Sequence, residues 1–91
     1  MEKTQELPKW FIEEIVWNGG GQIYSTGDSV ENIFSGQKID LNNLELSMYD
    51  YIKGAELVAY QTNDSGIIQK FNKALSWFRK ANPEAYMVLL D

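Results

Sequence analysis

The chain contains no cysteine and no histidine. Without cysteine there are no disulfides and no thiolate metal sites. Without histidine the chain lacks the commonest general base, the commonest metal ligand and the usual switch near neutral pH. The opening residues, MEKTQELPKW, are polar and hold no apolar stretch of the kind a secretory signal needs. No apolar run approaches the ~20 residues that cross a bilayer. A cytoplasmic location and no membrane contact are expected. Chemistry built on carboxylates alone stays open, but no catalytic residue, cofactor or metal ligand is assigned.

What is present fits one small domain. The 91 residues suffice for a single unit, 1–91, with residues 1–7 read as flexible because they are charged and without periodicity. Hydrophobic residues make up 44% and aromatics 13%, a composition that folds rather than stays disordered. Five Tyr, four Phe and three Trp either fill a thin core or cover a contact surface.

Pro8 stands where a helix accepts proline, in the first turn. In PKWFIEEIVW the pairs Phe11/Ile15 and Ile12/Val16 are four apart, which predicts a short helix ended by Asn18-Gly19. A strand over Ile15–Trp17 is the alternative. Residues 22–40 admit two readings. Turn signals at Thr26-Gly27-Asp28 and Ser35-Gly36 bracket a strand over Ser29–Phe34, part of a small β meander. Alternatively, Asp28 and Glu31 form a capping box that opens one helical turn.

From residue 41 the pattern is plain. Asn42-x-x-Glu45 has capping-box spacing, with Leu41 and Leu46 at the positions of a hydrophobic staple. Asp40 is the alternative cap. Leu41, Leu44, Met48, Ile52, Ala55 and Ala59 recur at helical steps, and Gly54 within them predicts close approach by another helix. After the break TNDSG, residues Ile67, Phe71, Ala74, Phe78 and Ala81 mark a second helix that stops before Pro83. The tail PEAYMVLLD is a third short helix capped by Asn82, or a final strand, and in either form it docks on the core. The expected fold is mainly α, with a small α+β domain as the alternative. An antiparallel helix hairpin, about 41–61 and 66–82, carries an N-terminal helix and a short β or irregular segment packed on it.

The triplet Gly19-Gly20-Gly21 invites comparison with a phosphate loop. Such loops carry a lysine and a hydroxyl at fixed offsets or lead into a helix. Here Gln22-Ile23-Tyr24 follows and the next lysine is Lys38, so the glycines read as a turn. Adjacent Glu13 and Glu14 cannot share a helix face. STGDSVENI lacks the ligand spacing of a calcium loop.

Over Phe34–Glu56, FSGQKIDLNNLELSMYDYIKGAE, and Trp77–Asp91, WFRKANPEAYMVLLD, the chain resembles small accessory proteins carried by tailed phages of marine bacteria. The resemblance covers these later parts of the chain and not the glycine triplet. It implies expression inside an infected bacterial cell. That group has no established activity, so no residue role is carried over.

Two surfaces are candidates for function. Residues 65–83 hold Lys70, Lys73, Arg79 and Lys80 and no acid, leaving the rest of a chain of net charge −5 strongly acidic. Lys70, Lys73, Trp77 and Lys80 share one flank of that helix. The flank is a solvated face, a dock for an acidic protein surface, or a nucleic-acid contact. The acidic remainder argues against nucleic acid, because neutralising phosphates needs clustered positive charge. The second surface is Leu46, Tyr49, Leu57 and Tyr60, off the main stripe of the first long helix. These residues either meet the N-terminal layer or mark a self-association or partner surface. The expected function is a non-catalytic protein–protein interaction module, binding a protein partner or itself as a homo-oligomer. A small nucleic-acid-binding protein using the basic flank is the alternative.

Overall fold

The computed structural model describes residues 6–21 and 23–90. The flexibility expected of residues 1–5 lies outside these. Glu6 and Leu7, read as part of the same loose segment, are held instead. The Glu6 carbonyl accepts a hydrogen bond from the Trp77 indole at 2.9 Å, and Leu7 packs on the core.

The first helix is present, but Phe11–Trp17 is wound as a π-helix rather than an α-helix. Its bonds span five residues instead of four, so residues five apart come into line. Trp10, Phe11, Ile15 and Val16 all pack in the core layer, with Phe11 fully buried. The glycine triplet closes this helix. Gly20 adopts a positive φ of 74°, and the Gly21 N–H donates to the Ile15 carbonyl at 2.9 Å. A Cβ on Gly19 would sit 2.8 Å from that same oxygen. The triplet is therefore a turn wrapped under a helix end.

Of the two readings for 22–40, the β reading holds, with different bounds. Strands β1 (Asp28–Glu31) and β2 (Lys38–Leu41) form an antiparallel pair in which Val30 faces Ile39 and Glu31 faces Lys38. The capping box between Asp28 and Glu31 does not form, since Asp28 accepts from its neighbour Ser29 instead. Ile33 and Phe34, expected in the strand, lie in the connecting turn. Gly27 precedes β1 where a Cβ would overlap the Leu41 carbonyl oxygen and stand 2.8 Å from Asn42 Cα, so only glycine fits there.

Helix α1 (Asn43–Thr62) starts with the expected capping box at Asn42, not at Asp40. The Asn42 side chain accepts from the Glu45 N–H at 2.8 Å, and Glu45 accepts from the Asn42 N–H at 3.0 Å. Leu41 and Leu46 both reach the core, as a hydrophobic staple requires. Helix α2 (Ser65–Ala81) is capped by Asp64, which accepts from Gly66 and Ile67. Helix α3 (Pro83–Leu89) is capped by Asn82, and the strand alternative for this tail is not adopted. The fold is mainly α with a small two-stranded sheet, as the sequence leads one to expect.

One core joins the layers: Phe11, Leu41, Met48, Ile52, Ala74, Phe78, Ala85 and Leu89. α1 and α2 form its main contact, and α3 closes it against α2 and β2. Gly54 corrects the expectation placed on it. Among the described residues, and apart from its own helix backbone, no atom lies within 4 Å of where its Cβ would be, so no other described helix approaches it closely. It lies instead in a shallow groove with Ile15, Val58 and Ile67.

Candidate functional site

The turn between β1 and β2 is built by Asn32. Its Oδ1 accepts from the N–H groups of Phe34 (2.8 Å) and Ser35 (3.3 Å), and its Nδ2 donates to the Val88 carbonyl in α3 (2.8 Å). The Asn32 backbone N–H closes the loop on Gln37 at 2.8 Å. This polar work is done inward, which leaves the tip residues Ile33 and Phe34 outward at 84% and 92% exposure.

Across from the tip runs the C-terminal half of α1, where Leu57 is 60% and Tyr60 is 83% exposed. Tip and helix together line an open groove of about 550 Å³ with Ile33, Phe34, Lys53, Glu56, Leu57 and Tyr60. Its two charged residues pair with each other, Lys53 Nζ to Glu56 Oε1 at 3.5 Å. Apolar side chains gathered this way on a chain with so small a core are the kind of surface that marks a contact site.

The structure divides the residues singled out in the sequence. Leu57 and Tyr60 belong to this groove. Leu46 and Tyr49 are half-buried against the core, with the Tyr49 ring 6.2 Å from that of Phe78, and Tyr49 also lines a neighbouring cavity of about 270 Å³ with Ile33, Phe34 and Lys53. Ile33 and Phe34 were missed as surface residues. The signal was there: two large apolar residues sit inside a segment bounded by Asn32 and Ser35-Gly36, both turn formers.

The basic flank is less open than its sequence implies. Lys70 Nζ lies 2.7 Å from Glu14 Oε1 in the π-helix, and this bond raises the Lys70 pKa above its ordinary value. Trp77 is half-buried, packs on the core and donates to Glu6. Arg79 lies 5.8 Å over the Tyr86 ring. Of the four flank residues, Lys73 and Lys80 alone are exposed. A base-stacking platform needs an accessible aromatic face among free cations; here the aromatic is half-buried and hydrogen-bonded, and one of the three lysines is ion-paired.

Elsewhere several polar groups have structural partners. Ser47, buried in α1, donates to the Asn43 carbonyl and accepts from the Tyr24 N–H, while Asn43 donates to the Tyr24 carbonyl. The Tyr24 phenol is pushed above its ordinary pKa by the Asp50 carboxylate, then by burial and by a hydrogen bond to Asp50. Tyr51 is raised chiefly by burial, where it meets the rings of Trp10 and Phe11 edge-on. Among the described residues no group of three or more acidic side chains is placed to hold a metal ion, and no buried side-chain polar atom lacks a hydrogen bond. Among them, too, no helix is long and apolar enough to cross a membrane.

Comparison with protein-family models, with curated proteins and with solved structures yields no match to this chain.

Proposed function

We propose that the chain is a non-catalytic protein-interaction module that works through the groove between the 32–37 turn and α1. We place it, on the sequence resemblance, among the small accessory proteins that tailed phages express in the bacterial cytoplasm. The observation that supports the reading is the juxtaposition of Ile33 and Phe34 with Leu57 and Tyr60, all more than half exposed. Water contact with apolar area carries a free-energy cost of about 25 cal/mol per Å². A partner that covers this groove recovers that term without any rearrangement of the core. Tyr60 suits such a contact, since its ring is apolar and its hydroxyl stays hydrated at the rim.

The test is capture from a lysate of the native cell with the full chain as bait, alongside Phe34→Ser. Retention of a protein by the natural chain and its loss with Phe34→Ser is the expected result. Equal capture by both overturns the groove as the contact surface.

A further inference from the structure

The Lys53–Glu56 pair in the groove bears on what covers it. The chain carries a net charge of −5, so two copies repel each other at long range. A contact between them must therefore lie where charge is locally balanced. The groove meets that condition. Its own charged residues are one cation and one anion, Lys53 and Glu56. At the root of the turn the facing pair Glu31 and Lys38 adds one more of each sign. The patch also holds both halves of a mutual fit. Phe34 is 92% exposed and forms one wall of the groove, with Leu57 and Tyr60 on the other. A two-fold contact requires this arrangement, because the same patch must act as donor and receiver on both copies.

We infer that the groove is covered by a second copy of this chain, in a two-fold dimer. Each Phe34 enters the groove of the other copy against Leu57 and Tyr60, and each Lys53 exchanges its Glu56 partner for the Glu56 of the second copy. This rests on the interaction reading above and names its partner.

The charges give a test that apolar burial alone does not. Lys53→Glu leaves only acids at the centre of the contact, and Glu56→Lys leaves only cations. Each variant alone weakens dimerisation, by about tenfold or more for desolvated charges of one sign. An equimolar mixture restores opposite signs across the two-fold and forms the mixed dimer. Sedimentation equilibrium across the micromolar range reads this directly as mass above 10.5 kDa. Phe34→Ser removes that exposed ring without touching the core and is expected to be monomeric where the natural chain is dimeric. Circular dichroism and the thermal midpoint verify that each variant is folded.

Mixing that fails to restore association, or a Phe34→Ser chain that dimerises like the natural one, overturns the inference. So does a natural chain that stays monomeric throughout. If that monomer still loses a captured lysate protein on Phe34→Ser, the second copy is wrong and the interaction reading stands. If the captured protein is unaffected, both are wrong.

Discussion

Glu45 Oε1 accepts a hydrogen bond from Asn82 Nδ2 at 3.2 Å, across 37 positions of sequence. Glu45 closes the capping box of α1, and Asn82 caps α3 through the Ala85 N–H at 3.1 Å. One buried carboxylate thus ties two helix starts together. Glu45→Ala removes the acceptor for both donors and is expected to cost about 1–3 kcal/mol, the usual loss when hydrogen-bonded buried groups lose their partner. Glu45→Gln keeps an acceptor with capping-box geometry and costs less. Urea unfolding of the two variants, with Asn82→Ala to complete a double-mutant cycle, measures the coupling. Additive effects of the two alanine changes would refute the link.

The two glycines Gly27 and Gly54 are expected to respond to alanine with opposite signs. At Gly27 the new methyl meets the Leu41 carbonyl and Asn42 backbone, which cannot yield as a side-chain end does. Backbone displacement there costs about 1–3 kcal/mol, as overpacking does. At Gly54 the new methyl meets open space within a 20-residue helix. Alanine is expected to stabilise by up to about 1 kcal/mol, the difference in helix propensity. For a domain of this size that raises the thermal midpoint by about 4–8 °C. A drop in midpoint for Gly54→Ala would mean that something outside the described fold occupies that space.

Asn32→Ala removes both the turn bonds to Phe34 and Ser35 and the clamp to Val88. The expected loss is about 1–2 kcal/mol from bonds of ordinary net worth. It is expected to be local: amide exchange quickens in β1, β2 and the turn, while the middle of α1 and α2 keeps its protection. Uniform loss of protection across all elements would show that the hairpin is not a separately opening unit.

Alkaline pH is expected to destabilise the fold. Lys70 is raised from 10.5, chiefly by its bond to Glu14, so the folded chain holds this proton more tightly than the unfolded one. Tyr24 and Tyr51 are raised from 10.0, by Asp50 and by burial respectively, and likewise keep their protons longer when folded. All three contributions are fully present below the unfolded values and fade as pH rises through the folded ones. The thermal midpoint is expected to fall above about pH 10 for these groups. Phenolate absorbance separates the tyrosines: Asp50→Asn brings Tyr24 back toward its ordinary titration, and an unchanged titration curve would remove the Asp50 assignment.

The elements legible in the sequence are those set by neighbours a few residues away. The Asn42 capping box and the Asn82 cap before Pro83 are specified by side chains within one turn of the groups they satisfy. The stripe of α2 is legible because a helix repeats its buried face at steps of three and four. What escaped was set at a distance. The π-winding of Phe11–Trp17 has no local signature, and its Glu14 is tied to Lys70 far along the chain. Trp77 lies on the outer flank of a helical wheel, yet it is half-buried and its indole N–H is held by the Glu6 carbonyl. Leu57 and Tyr60 could be placed on an outer face, but Ile33 and Phe34 join them only because Asn32 fastens the turn to α3. Half of the candidate site was thus visible as a pattern, and the other half depends on where a turn is anchored.

That anchoring makes the groove conditional on α3. The turn needs the Val88 carbonyl, Glu45 binds Asn82, and the core needs Ala85 and Leu89. Undocking of the seven residues Pro83–Leu89 therefore releases the turn and opens the core together. A chain that shows the groove intact is one whose interior is already closed.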